Sequence, residues 1–202
     1  MFYRRFKLFM GLFLVLVLGG ELLADTKGIS ERFMTKADAV VAVVKNKSLA
    51  TDARMDKIIQ TIDPLFDFRL MARLSLGKKR WNALGEAKQK EFTDLYVKRM
   101  KSSYSQKIDA YTDEKIIVRE SKQLKKNRVV LVTDLVGSDD KTEVVYKYHK
   151  SKGKQEGKDE WLIYDAVISG VSIITTDKSQ FKEVLRENSI DVLMDKMRNG
   201  KK

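Results

Sequence analysis

The chain contains no cysteine, one histidine (His149) and one proline (Pro64). Without thiols there is no disulfide framework, no thiolate nucleophile and no cysteine-linked lipid anchor. A lone histidine whose neighbours are Lys147, Tyr148 and Lys150 has no adjacent carboxylate to orient it as a catalytic base, and it makes zinc coordination a poor expectation. Gly170-Val171-Ser172 begins like a nucleophile elbow, but Ile174 stands where the second glycine belongs. Calcium-loop spacing and a phosphate-cradling glycine loop are both missing. These gaps argue against hydrolase, metal-enzyme and nucleotide-binding chemistry, and no cofactor is expected.

Acidic residues are also scarce, 28 against 40 Lys and Arg, for a formal net charge of +12. The main apolar run, Leu8 to Gly20, follows Arg4, Arg5 and Lys7 and precedes a small residue, Ala24. That order predicts a secretory signal peptide over residues 1–24 and an exported, periplasmic chain starting at or within two residues of Asp25. The run is shorter than the roughly 20 residues that span a bilayer. Removing three bases and Glu21 leaves a charge of about +10, which suits an anionic membrane surface or an acidic protein better than nucleic acid once the chain is exported. Residues 25–202 suit a single domain.

The remainder divides into helical periodicity, then strand periodicity, then helical again. Phe33, Ala37, Val40, Val41 and Val44 predict an amphipathic helix from Ile29 to about Lys47. Met55, Ile58, Ile59 and Ile62 predict a second, with Thr51 as its N-cap and Pro64 at its end. Asp67 can cap a short helix carrying Phe68, Leu70, Met71, Leu74 and Leu76, closed by Gly77. A long helix is expected from Glu86 to Tyr111, with Phe92, Leu95, Tyr96, Met100, Tyr104, Ile108 and Tyr111 on one stripe. Tyrosines on an apolar stripe fit a cavity wall as readily as a dry core, because each phenol needs a polar partner. Four strands follow, Ile116 to Lys122, Arg128 to Val136, Thr142 to Lys150 and Trp161 to Ile168, joined by short turns as an antiparallel meander.

The last of these strands leads into the stretch that organises the rest. Trp161, Ile163 and Val167 alternate with Leu162, Tyr164, Ala166 and Ile168, so both faces are mostly apolar, as in a central strand. Gly170 marks a turn, and Phe181, Val184, Leu185, Ile190, Val192, Leu193 and Met197 close the chain in one or two helices. The expected fold is α+β: a four-stranded antiparallel curved sheet with amphipathic helices packed around an apolar cavity. Such a cavity takes an apolar ligand.

Phe66-Asp67-Phe68 with Met71-Ala72-Arg73, Leu76-Gly77 and Trp81, then Phe92 and Tyr104, then Trp161, Tyr164-Asp165, Gly170-Val171-Ser172 and Ser179-Gln180-Phe181 resemble the MlaC family of periplasmic phospholipid-binding proteins. The resemblance runs in order through essentially all of residues 25–202. It departs at Lys178, where the family usually has Arg, and before the long helix, where a common proline is missing. It implies an NTF2-like cone with the acyl chains of a bound phospholipid between sheet and helices. It also implies no catalysis, and a role in outer-membrane lipid asymmetry by shuttling lipid between an inner-membrane ABC complex with an MCE-domain ring and an outer-membrane lipoprotein with its porin. Membrane contact would be transient.

With the stripe of the long helix and the inward strand positions as its wall, the pocket is expected to include Leu95, Met100, Tyr104, Val132, Val144, Tyr146, Ile163 and Val167, with Leu70 and Met71 on a short closing helix. Three other readings stand beside this one: a carrier for another lipid or lipoprotein, a binding protein using its basic face, and a small NTF2-like enzyme using Asp165 with Tyr164 or Tyr146.

Overall fold

The segments of two-residue periodicity form an antiparallel sheet in the order β1-β2-β3-β4-β5. In the computed structural model the described residues are 20–109, 113–138, 140–151 and 160–200, with side chains described from Thr26 and not at 104–109. Strands β1 (Lys115–Lys125), β2 (Arg128–Val136), β3 (Lys141–Lys150) and β4 (Trp161–Ile168) are the expected four. A fifth, β5 (Val171–Ser172), is too short to leave a periodic trace. It folds back on β4 through Ser169 and Gly170, both at positive φ (47° and 81°), the backbone that a two-residue hairpin demands.

Seven α-helices accompany the sheet among the described residues. They are α1 (Gly20–Lys45), α2 (Thr51–Ile62), α3 (Phe68–Leu76), α4 (Lys78–Ala83), α5 (Glu86–Asp109), α6 (Ile173–Glu187) and α7 (Ile190–Arg198). The first begins earlier than its apolar repeat suggested, and residues 1–19 of the expected signal segment lie outside the described residues. Thr51 is the first residue of α2, not its cap; Ala50 holds that position without a side-chain bond. Pro64 sits in a single 3-10 turn, Asp63–Leu65. Asp67 does cap α3, accepting from the Leu70 amide at 2.9 Å, and Gly77 ends it at φ 88°. α4 is a single apolar anchor, Trp81, among polar residues, too short for a repeat to show.

A small cluster of Val44, Met55 and Ile58 joins α1 to α2, and two larger apolar clusters carry the rest of the fold. One is helical: Phe68, Met71, Ala72, Leu76, Trp81, Phe92, Leu95, Tyr96, Phe181, Leu193, Met194 and Met197, with Trp81, Phe92, Phe181 and Tyr96 linked edge to face at centroid distances of 5.8–6.3 Å. The other joins α1 to one face of the sheet, with Ile29, Phe33 and Ala37 against Val129, Leu131, Tyr148, Trp161 and Ile163. Phe66 packs against both, and its bridge to Ile163 ties the entry of α3 to β4.

Candidate functional site

The pairing register decides which residues share the face under α1, called here the inner face. Leu131 pairs with Tyr146, Tyr146 with Ala166, and Val144 with Ile168, while Tyr148 pairs with Ile163. The row Val132, Val145, Val167 runs between these pairs and therefore points to the outer face. Between Ile163 and Asp165 the β4 register shifts against β3: a bulge at Tyr164 takes an extra residue, so side chains before and after it exchange parity. Trp161 and Ile163 accordingly share the inner face with Ala166 and Ile168. Strict alternation placed them with Val167.

The inner face is apolar and only partly covered. Phe33 of α1 lies against Tyr146 with ring centroids 4.6 Å apart, and burial pushes the Tyr146 phenol up to about 12. Further along, α1 does not seal the sheet. There Ile168 and Val171, paired across the β4–β5 turn, form one wall of a cleft of about 270 Å³, with Ile173, Thr176, Asp177 and Gln180 from α6 and Arg99, Met100 and Ser103 from α5. Val171 is 60% exposed at its lip.

A polar clamp holds the α5 and α6 walls together. Asp177 is buried and accepts from Arg99 Nη1 at 2.6 Å and from the Tyr96 hydroxyl at 2.7 Å, while Arg99 Nη2 donates to Gln180 at 2.6 Å. Burial, and then the Asp177 charge, drive the Tyr96 hydroxyl well above its ordinary pKa, so it serves as a donor. A second clamp fixes the turn. Asp165 accepts from Lys147 Nζ (2.9 Å), the Ser172 hydroxyl (2.9 Å) and the Ile174 amide (3.3 Å), while Ser172 caps α6 through Thr175 N.

Against the ten pocket residues expected from the sequence, the structure places Val144, Tyr146 and Ile163 on the inner face and Met100 in the cleft wall. Val132 and Val167 belong to the outer face, the first because parity was assigned without a pairing partner and the second because of the bulge. Met71 and Leu95 lie in the helical cluster and Leu70 is half-buried on α3. α3 packs mainly against α5 and α6 and also touches β4. The Tyr104 side chain lies outside the described residues. Ile168, Val171 and Ile173 were missed as wall residues; the apolar residues on both sides of Gly170 were their one signal in the sequence. Asp165 and Tyr146 occupy opposite faces, and the Asp165 carboxylate is committed to its clamp, so the pair cannot act on one substrate. Among the described residues no group of three or more acidic or histidine side chains is placed to hold a metal, and no helix is long and apolar enough to cross a membrane.

Residues 34–199 match the family model described as MlaC protein. Over 116 residues the chain is 25% identical to the intermembrane phospholipid transport system binding protein MlaC of Haemophilus influenzae, covering 56% of this chain and 53% of that protein. The chain thus spans about half the length of the curated relative it matches. The phospholipid-binding protein of Ralstonia solanacearum, solved in complex with a phospholipid, shares the fold at a TM-score of 0.70 and 18% identity, over 84% of this chain and 94% of that one.

Proposed function

The chain belongs to the MlaC family, and from that premise we propose that it is a periplasmic phospholipid carrier, exported by a signal peptide cleaved near Asp25, which buries acyl chains between the inner sheet face and the helices. The observation that carries this reading is the cleft in which Ile168, at the end of the inner face, meets Val171, Ile173 and Met100 on its apolar side and Arg99, Ser103, Thr176, Asp177 and Gln180 on its polar side. The phospholipid-binding names of the two relatives support it. The physical need is plain: two acyl chains hold about thirty methylenes, and exposing them to water at roughly 0.8 kcal/mol each costs on the order of 20 kcal/mol.

At about 270 Å³ the cleft falls just under the ~300–1,000 Å³ of pockets that hold drug-sized molecules. Loading two chains therefore requires the sheet to part from α1 or α5, with the contact between Phe33 and Tyr146 among those that yield. Transfer from a bilayer exchanges one apolar surrounding for another, so its direction is set by partners. In this reading those partners are an inner-membrane MCE-domain ABC complex and an outer-membrane lipoprotein with its porin, and the protein is a carrier and not an enzyme.

Organic-solvent extraction of protein purified from the periplasm, followed by mass spectrometry, tests the proposal. Phospholipid near one molecule per chain is expected. Protein that carries no lipid and takes none from vesicles would remove the basis for it.

A further inference from the structure

We propose that the corner between α3 and α4 is a docking surface for an acidic protein segment, gripped by Lys78, Lys79 and Arg80. The inference deepens the carrier reading, since a shuttle needs to hold a partner at a surface separate from its cleft. Gly77, at φ 88°, turns the chain sharply out of α3. Leu76 and Trp81, exposed by 2% and 4%, anchor the two sides of the turn in the helical cluster. Gln89 of α5 adds hydrogen bonds of 3.1 Å to the carbonyls of Trp81 and Leu84. Between these fixed points three consecutive cations stand exposed at the start of α4, around a concavity of about 460 Å³ lined by them with Leu76, Gly77 and Ala83.

The charge is held in place without being neutralised. Several cations on neighbouring and facing elements are matched, Lys88 with Asp191, Lys101 with Asp56, Lys141 with Asp134 and Lys150 with Glu160. None of Lys78, Lys79 and Arg80 forms an ion pair among the described residues. Three like charges side by side repel one another, and no carboxylate among the described residues neutralises them, whereas carboxylates entering the concavity would meet all three. A bilayer is the poorer fit. The corner is concave, and the large exposed apolar side chains of the described residues, Ile117, Leu124, Val171 and Val192, are all elsewhere, so the corner has nothing to insert at a lipid interface. Met100 lies eleven steps along α5 from Gln89, about 16 Å of helix, so a segment held here leaves the cleft open.

The test uses the full exported chain and a fluorescein-labelled ten-residue polyglutamate peptide, with binding read by anisotropy at low salt. The variant K78E/K79E/R80E, and the milder K78Q/K79Q/R80Q, are compared with K122E/K125E/K126E, which makes the same charge change as the first at the β1–β2 hairpin. The corner reversal is expected to weaken binding about tenfold, which is about 1.4 kcal/mol, the neutral variant by less, and the hairpin control by about twofold at most. Equal losses in both reversals would show only the general field of a basic protein and overturn the proposal. So would a corner variant that keeps the peptide but loses phosphatidylglycerol vesicles, which would make the corner a lipid contact. Co-purified phospholipid, measured on every variant, is expected to be unchanged; failure of the carrier reading would show there and not in the peptide assay.

Discussion

Phe33 and Tyr146 meet at 4.6 Å between ring centroids, tilted by 51°, and this contact fastens α1 to the middle of the inner sheet face. Phe33 is 6% exposed. Replacing it with alanine removes a buried ring and leaves a cavity, a change that costs about 3–5 kcal/mol. Urea denaturation of Phe33→Ala is expected to show a loss of that order, whereas a loss under about 1 kcal/mol would mean that α1 is only loosely held.

Alkaline pH provides a separate check on burial at the same place. The Tyr146 phenol titrates near 12 in the fold and near 10 in an unfolded chain. Below pH 10 both states are protonated and no difference arises. Above it the unfolded chain loses its proton first, so stability falls as pH rises from about 10 toward 12. Thermal melts of Tyr146→Phe are expected to decline less steeply over that window than wild type; parallel declines would place the phenol in water.

Asp177 holds α5 to α6 through Arg99 and Tyr96. Asp177→Ala leaves a guanidinium and a hydroxyl without their acceptor, and the expected cost is about 2–4 kcal/mol, seen as a lower urea midpoint. Arg99→Ala should cost a similar amount, and the double variant less than the two combined, because both remove the same contact. Full additivity would argue against the clamp.

Export should leave an N-terminus at or within two residues of Asp25. Thr26 is buried, and its carbonyl accepts from the Ser121 hydroxyl on β1 at 3.2 Å, so the chain just past that point is held against the sheet. Intact-mass analysis of the periplasmic protein checks this, and a retained Met1 in a membrane pellet would count against it.

The sequence made the strands legible because Val, Ile and Tyr alternate there with charge, and it marked α3 because Asp67 and Gly77 stand at its two ends. Much of the site was less visible. The bulge at Tyr164 leaves no compositional mark, yet it moves Val167 to the outer face and Ile168 to the inner one, a one-residue effect of the kind that exchanges whole faces. Which helix covers the inner face depends on tertiary packing: the stripe of α5 was equally compatible with that place, while Phe92, Leu95 and Tyr96 in fact build the helical cluster. α4 and β5 are too short for periodicity to register.

The central claim is that acyl chains lie on the inner face and leave by the cleft, and a matched pair of carboxylates tests it most directly. Ile168→Asp places a charge in the cleft wall, while Val132→Asp places one on the outer face; both residues are only half-buried, so each variant should fold. With folding verified by circular dichroism, phospholipid recovered per chain is the measurement. The account predicts that Ile168→Asp is folded and nearly empty while Val132→Asp keeps the wild-type complement. A folded Ile168→Asp protein that retains its full phospholipid would contradict it.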